Sequence, residues 1–163
     1  MPKRLHGTLG PLLLVLLSGR ESTTAPHAVT DMRAYLYFQE TGTIDSLNVI
    51  DGAPSRVHLW NTIIGEGSAG LPSAATMVLV NVTGQFLSRT PGSLRLIAKV
   101  GDRVLLRRDV PFETFFTERR SAWVPFIVYN TGCGALTLTA SSLAANGSVE
   151  STLTKTIAFE CGE

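Results

Sequence analysis

Apolar and polar positions alternate with a period of two along most of this chain, and almost nothing repeats at the 3.6-residue period of a helix. In "DMRAYLYFQ", Met32, Ala34, Leu36 and Phe38 fall on one face, and Arg33, Tyr35 and Tyr37 on the other. "TMVLVNV" (Thr76–Val82) is apolar at most positions on both faces, the pattern of a central strand. "SLRLIAKV" (Ser93–Val100) and "RVLLRRDV" (Arg103–Val110) flank Gly101-Asp102 and read as a hairpin. Further strands are predicted at "VHLWNTII" (Val57–Ile64), "AWVPFIVYN" (Ala122–Asn130), "ALTLTAS" (Ala135–Ser141) and "TLTKTIAF" (Thr152–Phe159). Pro125 cannot donate to a ladder, so its strand belongs at an edge or carries a bulge. The stretch Phe112–Arg120 reads as a short helix or an irregular crossing. Turn residues cluster at Thr41–Asp45, Asp51–Ser55, Gly65–Ser73, Thr90–Ser93, Thr131–Gly134 and Ala145–Ser148.

Register can be read at the first hairpin. A three-residue loop, Gly101-Asp102-Arg103, sets Val100 against Val104, Ala98 against Leu106 and Arg95 against Asp109, an opposite-charge pair. Around the second turn, near Asn146-Gly147, Leu136, Leu138 and Ala140 form the inner face of one strand. Leu153, Ile157 and Phe159 form the inner face of the other. The expected fold is an all-β, antiparallel sandwich of roughly 7–9 strands with at most one short helix. In architecture it resembles immunoglobulin-like sandwiches, a resemblance that implies no particular function.

The N-terminus changes the picture. Lys3 and Arg4 precede the apolar run "PLLLVLLSG", and small and polar residues follow. That order is that of an export signal, and the run is too short to cross a bilayer as a helix of about 20 apolar residues. "LLSG" is lipobox-like, but Arg20 stands where a lipidated Cys would be, so no acyl chain attaches there. Residues 1–28 are therefore expected to be signal and short tail, cut near Ala25 or Ala28. Residues 29–163 then form one domain in the periplasm or outside the cell, with no membrane span.

Charge and cysteines narrow the function. The full chain has 14 basic and 13 acidic residues. Removing residues 1–28 takes away Lys3, Arg4, Arg20 and Glu21, leaving 11 and 12, a net of −1. A near-neutral domain lacks the footprint of a nucleic-acid binder. Cys133 and Cys161 are expected to form one structural disulfide behind the export signal. With at most His27 and His58 left after the cut, a metal site is not expected, nor is any cofactor.

Gly65, Gly67 and Gly70 in "IIGEGSAGLPS" have the G-x-G-x-x-G spacing. A dinucleotide site also needs a helix whose N–H groups meet the pyrophosphate. Here Pro72 and strand-like residues follow, and Leu71-Pro72 replaces the Lys-Ser/Thr pair of a phosphate-binding loop. The stretch is read as an inter-strand loop.

Catalytic groups are sparse. There is no G-x-S-x-G, the acidic residues lie singly, and His58 is the one acid–base candidate, so no enzymatic activity is expected, a small hydrolase centred on His58 being the remaining alternative. Flat aromatic side chains are more suggestive. Tyr35, Tyr37, Trp60 and His58, together with the loop residues Gly65, Glu66 and Gly67, are the expected contacts for a protein partner or, alternatively, a glycan.

Overall fold

The computed structural model describes residues 27–50, 73–84, 91–112, 120–131 and 134–159. Eight strands are present among them: β1 (His27–Phe38), β2 (Thr43–Ile44), β3 (Ala75–Gly84), β4 (Gly92–Val100), β5 (Arg103–Phe112), β6 (Ser121–Tyr129), β7 (Gly134–Ala144) and β8 (Val149–Phe159). They form two four-stranded antiparallel sheets, β2-β1-β3-β6 and β5-β4-β7-β8, here the first and second sheet. No described residue is helical. The predicted strand at 57–64 and most of the stretch 112–120 lie outside the described residues.

Alternation explains the core. Met32, Ala34 and Leu36 of β1 and Val78, Val80 and Val82 of β3 point inward from the first sheet. Leu94 and Leu96 of β4, Leu136 and Leu138 of β7 and Ile157 of β8 meet them from the second. Leu94, Leu96, Leu136 and Leu138 are fully buried, and each such side chain stabilises the sandwich by about 1.5–3 kcal/mol. A bulge between Val29 and Asp31 inserts Thr30, which lets Val29 and Met32 both face inward although they are three residues apart. β3 lies between β1 and β6, as its two-sided apolar pattern predicts.

The first hairpin differs from expectation at its tip. Val100 pairs with Arg103 and Lys99 with Val104, so the turn has two residues rather than three. Gly101, at φ 56, occupies the first turn position, where a type II′ turn places glycine. The extra residue is absorbed further on, in a bulge at Leu105. Beyond it Ala98 faces Leu106 and Arg95 faces Asp109, as expected. A second departure is β2: Thr43 and Ile44, read as turn residues, pair with Phe38 and Tyr37.

Three of the four sheet edges are full-length strands, and each carries an interruption. β5 has the Leu105 bulge, the charged run Arg107-Arg108-Asp109, and Pro111. β6 carries Pro125 opposite Leu79. On β8, Lys155 pairs with Leu138, a fully buried residue, so the lysine stands on the inward face.

At one end, polar groups tie the sheets together. The His27 ring is 1 % exposed, and its Nδ1 donates to Glu150 Oε2 at 3.0 Å. Ser142 Oγ donates to the His27 carbonyl at 3.0 Å, and Val29 N donates to Ser151 Oγ at 3.1 Å. His27 is the first described residue of β1.

Candidate interaction surface

The outer faces of the two sheets differ in chemistry. On the second sheet, Thr139 and Thr154 hydroxyls lie 3.3 Å apart, and those of Ser141 and Thr152 lie 3.0 Å apart. Arg95 Nε and one terminal nitrogen each donate to a separate Asp109 oxygen at 2.7 Å. These hydrogen bonds hold the Asp109 carboxyl below the usual carboxylate range and raise Arg95 in turn. This is a solvated, internally paired surface.

The first sheet turns a mostly apolar face outward. Its register aligns four rows. Asp31, Asn81 and Trp123 form the first, and Arg33, Leu79 and Pro125 the second. Tyr35, Met77 and Ile127 form the third, and Tyr37, Ala75 and Tyr129 the fourth, with Ile44 beside Tyr37. Ile44 and Tyr129 are each 48 % exposed and Trp123 is 39 % exposed. Val104 and Val149, the other large apolar residues with comparable exposure among those described, sit at hairpin ends of the second sheet.

The only charges in these rows are Asp31 and Arg33, and they offset one another. Arg33 Nε donates to Asp31 Oδ2 at 3.4 Å, and its guanidinium lies 4.6 Å from the centre of the Trp123 ring. Asn81 is buried and accepts from Thr30 Oγ1 at 2.8 Å, so its side chain holds the bulge in place.

Of the contacts expected from sequence, Tyr35 and Tyr37 are half-buried on this face. His58, Trp60, Gly65, Glu66 and Gly67 lie outside the described residues, as do Cys133 and Cys161. Sequence reasoning missed Trp123, Tyr129 and Ile44. A signal for the first two was present in "SAWVPFIVY", where Trp123, Pro125, Ile127 and Tyr129 share one parity.

Among the described residues, no three His, Cys, Asp or Glu side chains converge to hold a metal ion. His27 and Glu150 are in contact, but a ring 1 % exposed offers a substrate no approach.

No family model matches the chain. No curated protein matches it either. Among solved structures, it is similar to Bifidobacterium dentium beta-glucuronidase, determined in complex with coumarin-3-O-glucuronide. The TM-score is 0.43 at 10 % identity, over 83 % of this chain and 18 % of the glucuronidase chain. This chain therefore corresponds to a small part of that enzyme's length, and the likeness is too distant to transfer an activity.

Proposed function

We propose that this chain is an exported, non-catalytic sandwich of immunoglobulin-like type that recognises a protein partner in the cell envelope or outside the cell. The contact is the outer face of the first sheet. The observation that carries the reading is the contrast between the two outer faces: one is rich in threonine, serine and charged side chains, the other carries Trp, Tyr, Met, Leu and Ile around the Arg33–Asp31 pair. Interface centres are enriched in aromatic residues, Met and Arg and depleted in Lys, Glu, Asp, Ser and Ala, of which these rows carry Asp31 and Ala75. Trp, Tyr and Arg also dominate binding energetics.

A glycan fits this face less well. The middle strand presents Leu79 and Met77 between the aromatic edges, and sugar hydroxyls laid over them would lose water without gaining hydrogen bonds.

The disulfide and export belong to the same reading. The β7–β8 ladder runs to Gly134 opposite Phe159. Cys133 adjoins the first of these in sequence and Cys161 follows the second by two positions, the sequence proximity that motivates the proposed bridge. Intact mass of the exported protein, with and without reductant, gives the cleavage point and the loss of two hydrogens together. Export without cleavage, or free thiols, would remove that part of the reading.

A photo-reactive residue in place of Ile127 tests the recognition face in the producing cell. A discrete protein adduct is expected. An adduct to glycan alone, or none at all, overturns the proposal.

A further inference from the structure

We propose that the partner seated on the first sheet is a second copy of this chain, bound face to face about a two-fold axis; this rests on the protein-recognition reading above. Two sheets stack about 10 Å apart with strands within about 30° of parallel or antiparallel alignment. An isologous contact requires the face to complement itself. For faces pressed together, the axis lies in the plane between them.

Placing the axis across the strands, midway between the second and third rows, sets β1 over β1, β3 over β3 and β6 over β6 in opposite directions. The second row of one copy then meets the third row of the other. Arg33 stands over the Tyr35 ring of the second copy, with Trp123 of its own copy on its other side. Leu79 meets Met77 of the second copy, and Pro125 meets Ile127 of the second copy. The outer rows complete the match: Asp31 accepts from the Tyr37 hydroxyl of the second copy, and Trp123 lies toward its Tyr129. Each charged group thus finds a cation–π or hydroxyl partner and the central aliphatic side chains meet one another, while Ala75 lies over Asn81 and Ile44 stays outside the match. With the axis along the strands, Arg33 would meet Pro125 and Asp31 would meet Trp123, leaving the carboxylate against an indole ring.

Area sets the strength. Strand spacing near 4.8 Å and about 6.7 Å between same-face residues give the twelve positions about 400 Å² of sheet per copy. Two such faces give about 800 Å², below the roughly 1,000 Å² of the smallest stable specific interfaces, so the dimer is weak and reversible.

Sedimentation velocity on the purified exported protein, from about 1 µM to about 1 mM, tests this across the range expected of a small interface. The sedimentation coefficient should rise from the monomer's to the dimer's. Leu79→Lys places a charge at the centre of the contact and should raise the dissociation constant at least about 100-fold. Ile127→Glu does the same from an edge strand, and circular dichroism identifies whichever variant folds. A monomer at every concentration, or a dimer that persists in a folded variant, overturns the second copy as partner. If the protein is monomeric and the Ile127 photo-probe still captures a different protein in the cell, the recognition reading stands and only the second copy falls. If neither experiment yields a complex, both fall.

Discussion

His27 and Glu150 join the first residue of β1 to the start of β8, so the contact can be broken from either side and from both. Both side chains are nearly shut off from water, at 1 % and 9 % exposure. A hydrogen bond involving a charged group contributes about 1.5–3 kcal/mol, and removing one partner also leaves the other desolvated. Glu150→Ala should therefore cost about 2–3 kcal/mol. For a domain of this size, 1 kcal/mol lowers Tm by roughly 3–5 °C, which gives a fall of about 6–15 °C. His27→Ala should cost at least as much, because it also empties the volume of a buried ring. The informative quantity is the coupling in a double-mutant cycle by chemical denaturation. The geometry predicts that the double variant is less destabilised than the sum of the singles by about 1–2 kcal/mol. A coupling below about 0.5 kcal/mol would mean that the two side chains are near one another without joining the sheets, and the reasoning would fail.

Leu96 is fully buried between the sheets, and Leu96→Ala should cost about 3–4 kcal/mol by urea unfolding. Gly147 holds φ at 80° in the β7–β8 turn; Gly147→Ala should destabilise by about 1 kcal/mol in the same assay, and a neutral result would refute the strained-turn argument. The Arg95 hydrogen bonds depress the Asp109 pKa, so their contribution is present above the ordinary carboxylate range and lost as pH falls through the depressed folded value. In Asp109→Asn the slope of stability against pH on the acid side should be shallower than in the parent. Carboxyl chemical shifts should also show Asp109 titrating below the ordinary carboxylate range.

Local patterns were legible in the sequence. The buried set Met32, Ala34, Leu36 and the inner faces of β7 and β8 follow from alternation alone, because parity does not depend on which strands are neighbours. Arg95 opposite Asp109 was likewise readable, since one short hairpin determines it. The tip of that hairpin was not. A loop of three residues and a turn of two with a bulge at Leu105 give the same register from Ala98 onward, and only the pairing at the tip, Val100 with Arg103 and Lys99 with Val104, separates them. The recognition face was hidden for a different reason. Met77 and Leu79 read as the buried second side of a central strand, and Trp123 and Tyr129 are more than forty residues away in sequence. Their union depends on β3 lying between β1 and β6, which is non-local information. Ile44 was lost because a strand of two residues has no period to detect.

The interrupted edges decide how copies of this molecule associate when they crowd together. An open, unbroken rim recruits strand after strand and grows into a fibre. Here the bulge and charges of β5, the proline of β6 and the inward lysine of β8 block that route, while pairing through a sheet face uses up its own surface and stops at two. Replacing Lys155 with valine should unblock one rim, and the soluble protein should then elongate into thioflavin-positive ribbons that the parent chain does not form.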